Sequence, residues 1–279
     1  MSAALLAAVL ALAAALCWGI GDFSGGLAAR RSDPFRAVFF AYCVGLVAML
    51  VVAITRGEKL TTPAALEWGA LAGLSGMVGV GSLWRGFTVG RMGIVAPLSA
   101  VLSAAIPVLF EGLTNGLPHL LQLVGFAAAL AGIWLLSRPE HLGGRPKGLG
   151  LAVLAGIGFG GFFIGLSQVG HNAVFWPLAA ARAVCVAVMA AFALATRRQV
   201  SLRHSPLGLF VLAGLLDVGG NLFFLLAIQN GRLDVTAVLG SLYPAITALA
   251  AWWVIKERMT RLQVFGVCMA VLAIILITL

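Results

Sequence analysis

Apolar residues run along this chain in blocks of roughly 20, the length a helix needs to cross the ~30 Å hydrocarbon core of a bilayer. The blocks break at charged, Pro or Gly positions. Helices also satisfy their own backbone hydrogen bonds, which lipid cannot do for them. The pattern predicts an all-α membrane protein with ten transmembrane helices, over about 4–28, 35–55, 65–87, 93–112, 118–137, 148–169, 174–196, 206–229, 234–255 and 261–278. The longest polar stretch, SRPEHLGGRPKG at 137–148, falls in the middle. It divides the chain into a first five-helix repeat over 1–137, a loop over 138–147 and a second five-helix repeat over 148–279. The opening MSAALLAAVLALAAAL lacks the basic start of a signal peptide and reads as part of the first span.

The two halves resemble each other. Shifted by 141 residues, 72–136 lies on 213–277 without a gap, so that Gly73 meets Gly214, Gly90-Arg91 meets Gly231-Arg232, Leu121-Gln122 meets Leu262-Gln263 and Gly125 meets Gly266. Shifted by 139, Gly19, Gly21 and Phe23 meet Gly158, Gly160 and Phe162. Matches among Ala and Leu carry little weight in apolar segments; the Gly, Arg and Gln matches in one register carry more. Five spans is an odd number, so the second half enters the membrane in the opposite sense, which predicts two inverted repeats with a site between them.

Composition fits this picture. Of the 279 residues, 62% are hydrophobic and only 10% charged, against about 25% charged in a soluble domain. Mean hydropathy is +1.08. The net charge of +9 would suggest nucleic acid in a soluble protein, but no basic-aromatic module exists here and the charge sits in loops. Loops 1–2, 3–4, 5–6, 7–8 and 9–10 hold thirteen basic residues, among them Arg30, Arg31, Arg36, Arg91, Arg138, Arg145, Lys147, Arg197, Arg198, Arg203, Lys256, Arg258 and Arg261; the opposite loops hold three, Arg56, Lys59 and Arg232. The positive-inside rule places the crowded side in the cytoplasm of a cell (inner) membrane, with both termini outside. The expected partners are lipid and a small-molecule substrate, with no nucleic acid, in a monomer or homodimer. Cys17, Cys43, Cys185 and Cys268 each lie in an apolar run and form no metal or redox motif, and no cofactor is expected.

Cys17-Trp18-Gly19-Ile20-Gly21-Asp22-Phe23, Ala227-Ile228-Gln229-Asn230-Gly231, Leu242-Tyr243-Pro244-Ala245 and Lys256-Glu257-Arg258-Met259-Thr260-Arg261-Leu262-Gln263-Val264-Phe265-Gly266 follow one another in order and spacing. Together they resemble a ten-helix, EamA-type member of the drug/metabolite transporter superfamily. The first half departs from the pattern, with Gly116 where the second has Glu257 and Ser103 where it has Pro244. The resemblance implies a central cavity lined by spans 1, 3, 4, 6, 8 and 9, and alternating access. Members move amino acids, nucleotide sugars, sugar phosphates and drugs, so the substrate is a question for the site. Family members are often drawn with both termini cytoplasmic; the loop charges here point the other way.

Candidate chemistry lies in the few polar groups at membrane depth. Of nine carboxylates, Asp33, Glu58, Glu140, Asp234 and Glu257 fall in loops, and Glu67 and Glu111 near span ends. Asp22 and Asp217 remain, and carboxylates so placed are costly unless paired, protonated or wetted. Asp217 shares a helix face with Asn221, one turn on, and Gln229 continues the stripe. The stripe reads as a substrate or proton site, or as hydrogen-bonding glue between helices. Asp22 reads as a second such site, or as a partner of a backbone amide or Arg30. Low dielectric disfavours a charged carboxylate, which suits Asp217 to proton coupling, with Asp22 in reserve. Trp18, Trp84 and Tyr243 offer broad rings with a polar tip and join Asp217 and Asn221 as the expected substrate-binding wall. Arg85 reads as a snorkelling cation, or as one that pairs or binds an anion, and Arg182 as a structural anchor. Glycines crowd spans three and six, as Gly69, Gly73, Gly76, Gly79, Gly81, Gly156, Gly158, Gly160, Gly161 and Gly165, and predict close helix packing.

Two function classes follow. The first is a secondary transporter, an exporter by alternating access, either proton-coupled or an uncoupled exchanger. The second is a membrane-embedded enzyme acting on lipid phosphate, which calls for paired carboxylates or a His/Ser/Asp cluster. His119, His141, His171 and His204 are scattered without carboxylate partners in sequence, so the chain reads as a transporter and not an enzyme.

Overall fold

The computed structural model describes residues 2–90, 92–136, 148–171, 173–198, 200–201, 205–254 and 261–278. Outside these lie the central loop 138–147 with its Arg138, Glu140, His141, Arg145 and Lys147, and also Arg91, Arg203, His204, Lys256, Glu257 and Arg258. The described residues form helices and no strands: α1 (Ala3–Arg31), α2 (Pro34–Thr55), α3 (Pro63–Val89), α4 (Met92–Thr114), α5 (Leu120–Leu136), α6 (Leu149–Ser167), α7 (Phe175–Ala195), α8 (Leu207–Ile228), α9 (Leu233–Gly240), α10 (Tyr243–Val254) and α11 (Arg261–Thr278). Six of them, α1, α2, α3, α6, α7 and α8, are long and apolar enough to cross a membrane, and three shorter apolar stretches join them.

The helix starts follow simple chemistry. Ser2, Asp33 and Thr62 each accept a hydrogen bond from the backbone N–H three residues on, and Pro34 and Pro63 open α2 and α3. Such caps satisfy N–H groups that a helix leaves without partners, and a proline there removes a donor that had none.

One expected element differs. The run expected as a single span over 234–255 is two helices, α9 and α10, parted at Ser241-Leu242. A Gly-Ser pair and a following proline are recognised causes of helix breaks, and here Gly240-Ser241 precede Pro244. Pro244 has no N–H to offer Gly240 and its ring crowds that carbonyl. The equivalent position of α4 is Ser103, and α4 runs unbroken past it. One expected acidic position also moves: Asp234 is no loop residue but lies fully buried in the first turn of α9, while Glu111 stands near the end of α4, as expected, and is buried.

Packing joins the halves to each other more than each half to itself. α1 packs chiefly on α8, and α6 on α3 and α4; α5 packs on α11, and α2 on α7 and α8. Exchanging α1 with α6, α2 with α7, α3 with α8, α4 with α9–α10 and α5 with α11 leaves this list of neighbours nearly unchanged. The glycines make the close approaches possible. A Cβ on Gly158 of α6 would stand 2.6 Å from the backbone nitrogen of Gly79 on α3, and Ser75 of α3 donates to the Gly158 carbonyl at 2.8 Å.

The loops collect at two ends. At one, Glu58 after α2 binds the start of α7, Gln229 at the end of α8 donates to the Gly170 and Ala173 carbonyls, and Arg232 donates to Gly116 after α4. At the other, Arg198 after α7 pairs with Asp33 before α2 at 2.8 Å, and Arg30 at the end of α1 donates to the Phe87 carbonyl near the end of α3. The start of α2 thus meets the end of α7, and the end of α2 meets the start of α7. The two helices run antiparallel.

Candidate functional site

The middle of the bundle, between these two ends, holds the deep polar groups. On α1, Trp18 and Asp22 are one turn apart and share a face; on α8, Asp217 and Asn221 do the same. The two helices pack with these faces together. Trp18 Nε1 donates to Asn221 Oδ1 at 3.0 Å. The indole lies against Gly220, where a Cβ would collide with the ring. Trp84 of α3 repeats the arrangement one turn along α1: its ring lies against Gly25 and its Nε1 donates to Asp22 Oδ1 at 3.0 Å. In both cases a glycine makes room for an indole beside the residue that accepts its N–H.

Asp217 is not a lone carboxylate. Arg182 of α7 places Nη2 2.6 Å from Asp217 Oδ2, with the two side chains 5% and 13% exposed. The guanidinium also stacks on the Tyr42 ring of α2, 4.3 Å from its centroid. Arg182, expected as an anchor, is therefore the counter-charge of the candidate site. Tyr243 opens α10, directly after the helix break. Its hydroxyl meets Ser99 of α4 at 2.8 Å, and Ser103 meets Ser241 at 3.1 Å, so α4 is tied across the break. Thr247 of α10 donates to the Gly19 carbonyl of α1 at 3.0 Å.

Trp18, Asp22, Tyr42, Arg182, Asp217, Asn221 and Tyr243 border one cavity, whose atom-free space is about 460 Å³ counting its mouth. Phe159, Phe162 and Phe163 of α6 complete an aromatic side. Trp18 stacks on Phe163 at 5.5 Å and meets Phe162 edge-on at 6.5 Å, while Phe159 meets Tyr243 edge-on at 6.4 Å. The wall is thus mostly apolar with a few convergent polar groups, as small-molecule sites usually are.

The structure brings together Trp18, Asp22, Asp217, Asn221 and Tyr243 on this wall. Trp84 stands behind it, 1% exposed, and reaches the cavity only through Asp22. Gln229 does not continue the stripe into the site; it ties the end of α8 to loop carbonyls. Among the described residues Asp22 accepts from Trp84 Nε1 rather than from Arg30 or a backbone amide, and Arg30 bonds the Phe87 carbonyl. Arg85 is exposed, as a snorkelling cation would be. Sequence reasoning missed Tyr42 and the pairing of Arg182. A signal existed for both. A buried cation at membrane depth is as costly as a buried anion, so Arg182 and Asp217 called for each other, and Tyr42 is one of only two tyrosines in the chain.

Among the described residues no group of His, Cys, Asp and Glu is arranged to hold a metal ion. The family model of the EamA-like transporters matches the chain twice, over residues 5–138 and 146–279. No functionally curated protein matches the sequence significantly. A solved crystal structure superposes with a TM-score of 0.73 at 17% identity, covering 97% of this chain and 95% of that one. At that identity the likeness speaks for the shared fold alone.

Proposed function

The chain belongs to the EamA-like transporter family, is a multi-pass membrane protein of the drug/metabolite transporter class, and on that premise we propose that it is a secondary transporter exporting a small metabolite or drug-like solute by alternating access through the cavity between its halves. The observation that carries the proposal is convergence. Polar side chains from α1, α2, α7, α8 and α10, drawn from both family repeats, meet at mid-depth around a single cavity. Polar groups there must face protein or water, and an aromatic-sided chamber between two halves is the place where a transporter holds its cargo. In this reading Trp18, Asp217, Asn221 and Tyr243 contact the solute, with Trp84 holding Asp22 in place.

The proposal includes the topology: ten spans, α9 and α10 together forming the ninth, in two inverted five-helix repeats over 1–137 and 148–279. Antiparallel α2 and α7, the second helices of their respective repeats, support the inversion. Both termini lie outside by the loop charges. The protein works as a monomer or homodimer.

Coupling to protons is proposed at a cavity carboxylate, Asp217 or Asp22. The second reading is uncoupled exchange, and the 2.6 Å ion pair to Arg182 favours it over a proton carrier at Asp217. Purified protein in liposomes, offered a panel of metabolites with and without a pH gradient, tests both. Flux of a solute confirms transport, and a response to the gradient separates coupled flux from counterflow. Absence of flux for every solute, with the protein folded, sinks the transport proposal.

A further inference from the structure

One buried donor in the cavity wall is left over. Tyr42 borders the cavity and is 1% exposed, and among the described residues its hydroxyl has no hydrogen-bond partner. Its neighbour is Arg182, whose guanidinium lies over the Tyr42 ring. Arginine offers donors only, so it cannot accept the hydroxyl proton. A buried hydroxyl without an acceptor costs free energy. The other polar groups of the wall are occupied: Asn221 accepts from Trp18, Asp22 accepts from Trp84, and the Tyr243 hydroxyl meets Ser99.

Arg182 has donors to spare as well. A guanidinium carries five N–H groups. Asp217 meets it at Nη2, and one carboxylate covers at most one edge of the fork. The Tyr42 ring covers a face and leaves the edges open. An oxyanion there would accept from Arg182 and from the Tyr42 hydroxyl together, and a carboxylate matches the arginine fork in shape and charge. A phosphate monoester brings a charge of about −2, which a single guanidinium does not balance. Phe159, Phe162 and Phe163 give the same cavity an apolar side, which suits the body of an organic acid.

We propose that Arg182 and the Tyr42 hydroxyl bind the carboxylate of a monovalent organic acid, with its apolar body against the Phe159, Phe162 and Phe163 rings, and that Asp217 takes up one proton as it yields the guanidinium. This deepens the transport reading and rests on it. In the empty cavity Arg182 and Asp217 neutralise each other, so the proton enters only with the solute. Low dielectric disfavours an unpaired charge. One anion and one proton enter together, and the net charge of the cavity stays the same. The other ionisable groups facing the pair are Asp22 from α1, Tyr42 from α2, Cys185 from α7 and Tyr243 from α10; α3 borders the cavity with Gly73, Gly76 and Val80. Tyrosine and cysteine ordinarily keep their protons at neutral pH. A charged Asp22 opposes an anion, so its protonation acts in the same direction as that of Asp217. Solute binding therefore strengthens as pH falls, by up to about tenfold per pH unit for one proton.

Phenylacetate tests this on the full-length protein in detergent by equilibrium dialysis, with phenylacetamide and phenethylammonium as neutral and cationic counterparts and empty micelles as the blank. Phenylacetate is expected to bind at least several-fold tighter than either counterpart. It should bind tighter at about pH 6 than at about pH 8, a range in which carboxylic acids stay ionised. Tyr42→Phe keeps the ring on Arg182 and removes only the hydroxyl. It should weaken binding about tenfold and leave the melting temperature unchanged or higher, because the hydroxyl has no partner to lose. Asp217→Asn stands in for the protonated carboxyl and should bind phenylacetate at least as tightly, with a flatter pH profile. Arg182→Met combined with Asp217→Asn removes both charges and should not bind phenylacetate. The proposal is overturned if phenylacetate does not bind, if either counterpart binds as well, if Tyr42→Phe binds at wild-type affinity or melts lower, or if Asp217→Asn keeps the wild-type pH profile. These readouts need no flux. Phenylacetate binding with no flux of any solute in liposomes would defeat the transport reading alone, and flux of neutral or cationic solutes without phenylacetate binding would defeat the anion site alone.

Discussion

Glu58 and Trp176 hold each other's backbone: the Trp176 backbone N–H donates to Glu58 Oε2 at 3.0 Å, and the Trp176 indole N–H donates to the Glu58 carbonyl at 2.8 Å. The same carboxylate accepts from the backbone N–H groups of Val174 and Phe175 at 2.7 and 2.9 Å. Helix α7 has no capping side chain of its own. Its cap comes from the loop after α2, more than a hundred residues earlier, and a carboxylate at a helix N-terminus also suits the helix dipole.

Removing this clamp should therefore loosen α7 from α2. Glu58→Ala leaves up to three backbone donors without partners and is expected to cost about 1–3 kcal/mol, while Trp176→Phe, which removes one hydrogen bond, should cost about 0.5–1.5 kcal/mol. Thermal unfolding in detergent reads both. Equal effects of the two substitutions would show that the carboxylate is not the cap.

The Arg182–Asp217 pair predicts strong non-additivity. Arg182→Met strands a buried carboxylate and should destabilise by about 3–5 kcal/mol, and Asp217→Asn strands the guanidinium with a similar penalty. The double substitution should recover much of the loss in stability while transport stays lost. A double-mutant cycle with a coupling energy near zero would mean that the two charges do not depend on each other.

The helix packing predicts a contrast between two glycines of similar sequence context. Gly158→Ala drives a methyl group toward the backbone of Gly79 and should cost about 1–3 kcal/mol through overpacking. At Gly81 a Cβ meets nothing within contact distance, so Gly81→Ala should be neutral or gain up to about 1 kcal/mol through helix propensity. Unfolding midpoints of the two variants settle the matter, and a tolerated Gly158→Ala would contradict the close approach of α3 and α6.

Orientation can be read from a reporter. A fluorescent domain that matures only in the cytoplasm, fused after Leu279, should stay dark in cells. A bright fusion that still transports would reverse the assignment of the basic end to the cytoplasm.

Much of this architecture was open to sequence reasoning because lipid leaves the chain few choices. The apolar runs became helices, that over 234–255 in two pieces, and the loops collect at two ends, with Glu58, Gln229 and Arg232 at one and Asp33 and Arg198 at the other. The repeat was visible in glycines, which keep their register because neighbouring helices touch there. What stayed hidden depends on relations between helices. No spacing within span seven says that Arg182 reaches Asp217 on α8 or stacks on Tyr42 of α2. Trp84 and Trp18 looked alike in sequence, yet one borders the cavity and the other stands behind Asp22. The break before Tyr243 was legible in Gly240, Ser241 and Pro244, but the length of the apolar run outweighed it.

That break has a consequence for energetics. If two inverted halves were identical, swapping their conformations would turn the inward-open state into the outward-open one, and the two would have equal free energy. Here, among the described residues, only the second half carries the discontinuous helix, with Tyr243 and Ser241 fastened to the intact α4 of the other. The symmetry that would make the two states degenerate is lifted at the site itself. Under the proposed alternating-access cycle the empty protein is expected to have a resting side, and placing the serine of the first half at the equivalent position through Pro244→Ser is expected to move its populations toward parity.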